Sequence, residues 1–255
     1  MEEILKLYKE QGETPLECIQ RFKAAHPQYA SVPMTYAGRL DPMASGLLLV
    51  LAGEKCKEKD SYLGLDKEYM TEVLLGVETD TSDALGIIKH TTKTKITLSE
   101  TDIAAVLKQR IGKFMQSYPL FSSRTIDGTP MFELAKAGII DDTTEDIPDK
   151  EVEIFSIDIV DIAQIHKLEL LKRIEDGISK VKGDFRQDEI VAKWKELICE
   201  ELGYNPDFEF MLVKLRVKCS SGVYIRSLAQ WLGRQLGSGA LALSIERTKV
   251  GSFSL

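Results

Sequence analysis

Residues 211–219, MLVKLRVKC, alternate without a break: Val213, Leu215, Val217 and Cys219 point one way, Lys214, Arg216 and Lys218 the other. That period of two specifies an antiparallel strand with one dry face and one wet, basic face. The period then changes. In YIRSLAQWLGRQLG (224–237), Leu228, Trp231, Leu232 and Leu236 recur at helical spacing and Gly237 closes the run. LLLVLAG (47–53) is a short apolar stretch bounded by glycines, the pattern of a buried strand. TEVLLGV (71–77) reads as a second strand, and VEIFSIDIVDI (152–162) is rich in β-formers.

Helix signals alternate with these strands. Thr14-Pro15-Leu16-Glu17 is a capping box with proline in the first turn, and it predicts a helix burying Leu16, Ile19 and Phe22. Ser99 caps a helix running through Arg110, with Ile103, Val106, Leu107 and Ile111 on one face. MFELAKAG (131–138) is a short helix stopped by glycine. MTYAGRLDPMASG (34–46) is expected to be a structured loop, and TDTSDALG (79–86) a polar turn. Residues 167–203 hold two amphipathic helices, one on Leu168, Leu171, Ile174 and Ile178, the other on Ile190, Val191, Trp194, Leu197 and Ile198. The charged turn KGD (182–184) separates them. Strands interrupted by a helical hairpin imply an insertion, spanning 167–206, within a single α+β domain covering 1–255.

Composition narrows the class. At 255 residues, 44% apolar and 29% charged, the chain has globular values. No apolar run approaches the roughly 20 residues that span a bilayer, and MEEILKLYKEQGE at the start has no signal-peptide core. His26, His90 and His166 are too scattered for a histidine-rich metal centre. Cys18, Cys56, Cys199 and Cys219 never form a C-x-x-C pair, which favours reduced thiols and a cytoplasmic protein. The net charge of −7 argues against a phosphate-rich partner, but its distribution does not. Seven acids against the single base Lys150 fall within residues 141–153, read as a solvated acidic loop, and the remaining chain is close to neutral.

YAGRLDPMASGLLLVLAGE (36–54) carries the most chemical information. Read alone, Asp41 between leucine and proline is a turn residue bonding its own backbone. Its company changes that reading. Gly38, Leu40, Asp41, Pro42, Ala44, Ser45 and Gly46 resemble the G-x-L-D-P-x-A-[ST]-G signature of the TruB family of tRNA pseudouridine synthases. LDKEY (65–69) is similar to the family's D-K-x-Y element, with TDTSDALG after it. YPLFSS (118–123) and DGTPMFELAKAG (127–138) resemble its P-x-[YF]-S-A segment and following helix. CSSGVYIRSLAQWLGRQLGSGA (219–240) resembles its closing motif, and YKEQGETP (8–15) its K-P-x-G opening, with glutamate in place of proline.

The resemblance implies a pseudouridine synthase fold, a mixed and mainly antiparallel sheet with flanking helices. It implies a cofactor-free and metal-free RNA uridine isomerase whose partner is tRNA, acting on the T-arm. Asp41 matches the catalytic aspartate and Arg226 the arginine that keeps it charged; burial by itself would push the carboxyl up. A flipped base needs a snug apolar and aromatic pocket. Tyr69 matches the tyrosine packing on it, Tyr224 a second pocket tyrosine, and Ile245 stands where leucine is usual. Without the resemblance, Arg226 reads as a helix-start residue, Tyr69 as a strand-edge aromatic and Tyr224 as a core residue. Asp83 either bonds RNA or closes a turn. Lys9, Arg39, Lys67 and Arg124 are candidate RNA contacts, and Lys214, Arg216 and Lys218 are either further contacts or a solvated face.

The match departs from the family at several positions. Tyr36 stands where bacterial members carry a histidine that stacks into RNA. Arg39 replaces a small residue and is expected to fill the gap left by the extruded base. Thr125 stands where a lysine is usual, with Arg124 one place earlier. The chain ends at Leu255, where the family's catalytic domain ends, so the C-terminal RNA-binding PUA domain is expected to be missing. Two other classes fit parts of the pattern. One is a non-catalytic RNA-binding or RNA-folding module, the other a glycoside hydrolase pairing Asp41 with Asp80 or Asp83.

Overall fold

The computed structural model describes residues 3–141 and 143–255. Its strands, in chain order, are β1 (Ile4–Lys9), β2 (Met34–Tyr36), β3 (Ala44–Ala52), β4 (Lys67–Leu75), β5 (Val77–Thr79), β6 (Ile88–Thr91), β7 (Gly112–Ser117), β8 (Thr125–Ile126), β9 (Thr129–Pro130), β10 (Asp149–His166), β11 (Glu209–Cys219), β12 (Ala240–Val250) and β13 (Phe253–Ser254). Seven of these form one sheet in the order β1-β3-β12-β4-β11-β10-β7, with β2 added on β3 and β13 on β12. Only the β12–β3 pairing is parallel among the described residues; the rest of the sheet is antiparallel. The helices are α1 (Pro15–Ala25), α2 (Lys59–Leu63), α3 (Glu100–Lys108), α4 (Met131–Lys136), α5 (Lys167–Ser179), α6 (Gln187–Lys195) and α7 (Ile225–Gln235).

The alternation of β11 sorts the two cores. Val213, Leu215, Val217 and Cys219 are fully buried and meet Tyr69 and Val73 of β4, Ile103 and Leu107 of α3, and Leu228, Ala229 and Leu232 of α7. Residues of the opposite parity, Leu74, Phe210 and Leu212, face a second core made with Leu170 and Ile174 of α5 and Ile190 and Trp194 of α6. Each large aliphatic side chain so enclosed contributes about 1.5–3 kcal/mol of transfer free energy. The helical hairpin thus roofs one end of the reverse face. β10 runs directly into α5, and the chain returns as β11 beside β10. Lys167 closes the base of the hairpin, its Nζ donating to the Leu202 (2.6 Å) and Asn205 (2.7 Å) carbonyls.

Several expectations are revised. Residues 34–36 form a strand rather than loop, because their backbone pairs with Val50, Leu51 and Ala52. Leu16 is exposed; Cys18 and Ile19 take the buried face of α1. The acidic run is not all loop. Asp149, Glu151 and Glu153 belong to β10 and lie across from Ser117, Met115 and Lys113, with Lys113 3.6 Å from Glu151; Asp142 lies outside the described residues. The basic stripe of β11 is matched by its neighbours. Lys214 stands across from Asp161 and Glu72, Arg216 from Asp158, and Lys218 from Glu68, which makes this a charge-balanced solvated face. Among the described residues, no helix is long and apolar enough to cross a membrane.

Candidate active site

The loop of residues 37–43 is pinned by backbone carbonyls. Lys9 Nζ, at the end of β1, donates to the Ala44 (2.6 Å) and Glu10 (3.0 Å) carbonyls. Gly12 N–H donates to the Pro42 carbonyl (2.8 Å). From the other side Arg247 of β12 donates Nε to the Leu47 carbonyl (2.8 Å), Nη1 to Arg39 (3.2 Å) and Nη2 to Gly38 (3.3 Å). This close approach needs Gly46. Its φ is +105°, and a Cβ there would run into the Arg247 main chain, its parallel neighbour. The outcome is a rigid platform from which Asp41 projects with 40% of its side chain exposed.

Arg226 comes to Asp41 from the first turn of α7. Gln116 of β7 fixes the approach, donating Nε2 to the Gly222 carbonyl (3.0 Å) and accepting the Tyr224 N–H (3.1 Å). A cation at a helix N-terminus opposes the helix dipole, and this one is also buried. Two carboxylates offset both costs. Nε donates to Asp41 Oδ2 at 2.8 Å and lies 3.7 Å from Asp83 Oδ2. Nη1 donates to the Thr81 carbonyl (2.8 Å) and Nη2 to that of Phe121 (3.4 Å). Burial works against the guanidinium's charge, but Asp41 and Asp83 more than offset it and raise its pKa.

The buried carboxylate is Asp83, not Asp41. Its Oδ1 accepts from Thr81 Oγ1 (2.6 Å) and Leu85 N–H (2.9 Å), and its backbone bridges to Ala242 of β12. Burial raises its carboxyl above the ordinary range, with Arg226 and Thr81 pulling it back. Of the two roles considered for Asp83, the structure gives it the turn, and it has no free face for RNA. Asp80 is equally committed, to Arg186 (2.7 Å) and Ile87 N–H (2.8 Å), so it forms no acid pair with Asp41.

Tyr69 of β4 is buried below the pair, pushed up by burial with Arg247 against its hydroxyl. Tyr224, the N-cap of α7, is half-buried beside Asp41 and Arg226, and its ring meets Tyr118 edge-on with centroids 6.0 Å apart. The loop carrying Asp41, the start of α7 with Tyr224 and Arg226, and Tyr69 of β4 therefore meet around one carboxylate–guanidinium pair.

A family model described as TruB family pseudouridylate synthase (N terminal domain) matches residues 29–179. The tRNA pseudouridine synthase B of Borreliella burgdorferi (strain ZS7) is 32% identical over 251 residues, 98% of this chain and 70% of that protein. The chain belongs to the TruB family. That of Francisella tularensis subsp. novicida (strain U112) is 32% identical over 220 residues, 86% of this chain and 56% of that protein. Among solved structures, a chain of a Cbf5-Nop10-Gar1 complex aligns with a TM-score of 0.58 at 19% identity, over 99% of this chain and 50% of that one. A chain of an H/ACA RNP bound to a substrate RNA containing 2'-deoxyuridine aligns at 0.55 and 18%, over 99% and 48%. These two likenesses concern the fold, and the chain spans about half of each.

The other candidate residues lie in different settings. Arg39 and Arg124 are exposed, and the Arg124 guanidinium lies 5.3 Å from the Tyr118 ring. Tyr36 is half-buried on β2, with Lys59 Nζ 5.7 Å from its ring. Ile245 lies across from Ala44 and Thr71 and also borders a hollow of about 340 Å³ between α5 and β12. Lys9 and Lys67 are corrections to the RNA-contact set. Both are buried, and Lys67 Nζ donates to the Leu63 carbonyl (2.7 Å), so neither is free to meet a phosphate. Arg247 and Gln116 were not anticipated. Their sequence neighbourhoods are ordinary strands, and only the packing shows that each serves a loop.

Burial lowers the two lysines to about 8, whereas an unfolded chain's lysine holds its proton to about 10.4. The folded state binds fewer protons across that interval, so stability rises with pH through it. Cys18, pushed up to about 11, and Cys219, to about 12, act oppositely, but only once an unfolded thiol ionises. Urea denaturation at about pH 7.5 and about pH 8.5 is expected to show the higher value stabilising, with Lys67→Met reducing the gain. An unchanged gain in that variant would remove Lys67 as its source.

Proposed function

We propose that this chain is a tRNA pseudouridine synthase that isomerises a uridine in the T-arm, with Asp41 as the essential carboxylate. The observation that carries the reading is the 2.8 Å bond from Arg226 Nε to Asp41 Oδ2, made at a carboxylate that stays partly exposed. The isomerisation breaks the N1–C1′ bond, turns the uracil and joins C5 to C1′, while C5 loses a proton and N1 gains one. No atom enters or leaves overall. An ionised carboxylate beside the sugar and base serves this as nucleophile or base. Arg226 orients it through that hydrogen bond, and Tyr69 and Tyr224 are the surfaces against which an everted pyrimidine would pack, at a cost of a few kcal/mol for unstacking. Arg39 and Arg124, both exposed, are the cations that would meet the RNA backbone or the vacated stack.

Incubation with an unmodified tRNA transcript, followed by pseudouridine mapping, is expected to give one new pseudouridine in the T-arm. Product elsewhere would reassign the target. No product on any transcript, with RNA still bound, would favour the non-catalytic RNA-binding reading.

A further inference from the structure

We infer that Arg186, at the turn of the helical hairpin, is a positioning residue for the Arg226–Asp41 pair, which makes the hairpin a working part of the site. This rests on the reading of Asp41 and Arg226 above. Arg226 aims its Nε at Asp41 because its two terminal nitrogens are held by the Thr81 and Phe121 carbonyls. Those carbonyls belong to segments 40 residues apart in sequence. Arg186 touches both segments. Its Nη1 donates to Asp80 Oδ2 at 2.7 Å, and its guanidinium carbon lies 4.9 Å from the centre of the Phe121 ring. Asp80 in turn takes the Ile87 N–H (2.8 Å), which fixes the turn that carries Thr81 and Asp83.

Arg186 is held in an unfavourable state to do this. Its backbone is left-handed, with φ +63° and ψ +29°, a conformation in which a residue with a Cβ is uncommon. Its Nε is buried and, among the described residues, finds no acceptor. Strain and an orphaned donor in one residue persist where surrounding contacts over-determine them. The surrounding turn is anchored on two flanks. Lys180 packs so closely on Gly12 that a side chain there could not fit, and Gly12 N–H holds the Pro42 carbonyl next to Asp41. On the other flank, Lys136 Nζ donates to the Asp184 carbonyl (3.0 Å) and lies 5.6 Å from the centre of the Phe185 ring. The hairpin therefore ties the catalytic loop to residues 121–136.

The test uses the full chain, an unmodified tRNA transcript and two readouts. Under single-turnover conditions Arg186→Ala is expected to slow pseudouridine formation about 10- to 100-fold, as misplaced catalytic groups do, while RNA affinity stays within about 2-fold. Arg186→Lys, which keeps the charge on Asp80 but loses the flat face on Phe121, is expected to fall between. Asp80→Asn should resemble Arg186→Ala, and the double variant should be no slower than either single one. Lys195→Ala, which breaks an exposed ion pair with Glu175 on the same hairpin, serves as the control. The second readout needs no substrate: the side-chain Nε–H resonance of Arg226 should shift in Arg186→Ala and in Asp80→Asn.

An unshifted resonance with a parental rate overturns the inference. So does a double variant that multiplies the two single losses, or a loss of RNA affinity at unchanged rate. Where Arg186→Ala does not fold, Asp80→Asn decides by the same readouts. A parent protein that makes no pseudouridine defeats the proposed function instead, and the resonance still decides this inference.

Discussion

Asp41→Asn is expected to lower pseudouridine formation at least about 10³-fold, the scale on which enzymes lose rate when a reacting carboxylate is neutralised. The substitution is nearly isosteric, so the loop held by Lys9, Gly12 and Arg247 should stay in place. Asp41 is partly exposed and gives up one charge-assisted hydrogen bond, so stability should fall by no more than about 1–2 kcal/mol. RNA affinity should stay near that of the parent, because an amide presents the same shape to a bound pyrimidine. Single-turnover assays on an unmodified transcript, with binding measured in parallel, separate these effects. A rate within about 10-fold of the parent would leave Asp41 as a turn residue and end the proposed mechanism.

Arg226→Met should damage both function and fold. It removes the cation from two carboxylates of unequal exposure. Asp41 can turn to solvent, but Asp83 is enclosed and already raised by burial. Breaking a buried pair on one side costs about 3–5 kcal/mol, and the rate should fall at least about 10²-fold as Asp41 loses its orienting partner. The pH dependence has a definite sign. A carboxyl whose folded pKa lies above its unfolded value binds its proton more tightly when folded, so stability is lost as pH rises through the folded pKa. Without Arg226 that pKa rises further, and the loss extends to higher pH. Asp83→Asn in the Arg226→Met background should restore much of the stability without restoring turnover. Equal denaturation midpoints for parent and Arg226→Met at neutral pH would refute the buried pair.

The positions legible in sequence share a local cause. The capping box at Thr14 and the cap at Ser99 form as read, because a cap is settled by residues three apart. The alternation of β11 forms its dry face, because strand parity is independent of partner choice. Asp41 and Arg226, 185 residues apart, could be paired only through the family signature, and the two side chains do meet. What went astray was the environment of charged side chains. Lys9 and Lys67 look like surface lysines in the sequence, yet both end among backbone carbonyls. For the basic stripe of β11 the sequence left RNA contact and a solvated face open, and Glu72, Asp158 and Asp161 brought alongside by β4 and β10 favour the solvated face.

By itself the sequence determined the elements with a clear period or cap, the antiparallel character of β11 and the residues able to perform carboxylate chemistry. These follow from periodicity, caps and side-chain identity, all of them short-range. The tertiary structure alone decided which cations are spent holding the loop, which carboxylate is enclosed, and that the hairpin turn reaches Asp80 and Phe121. The physical reason is that desolvation and charge pairing depend on neighbours brought from distant parts of the chain, and register, crossover and docking fix those neighbours only once the fold is complete.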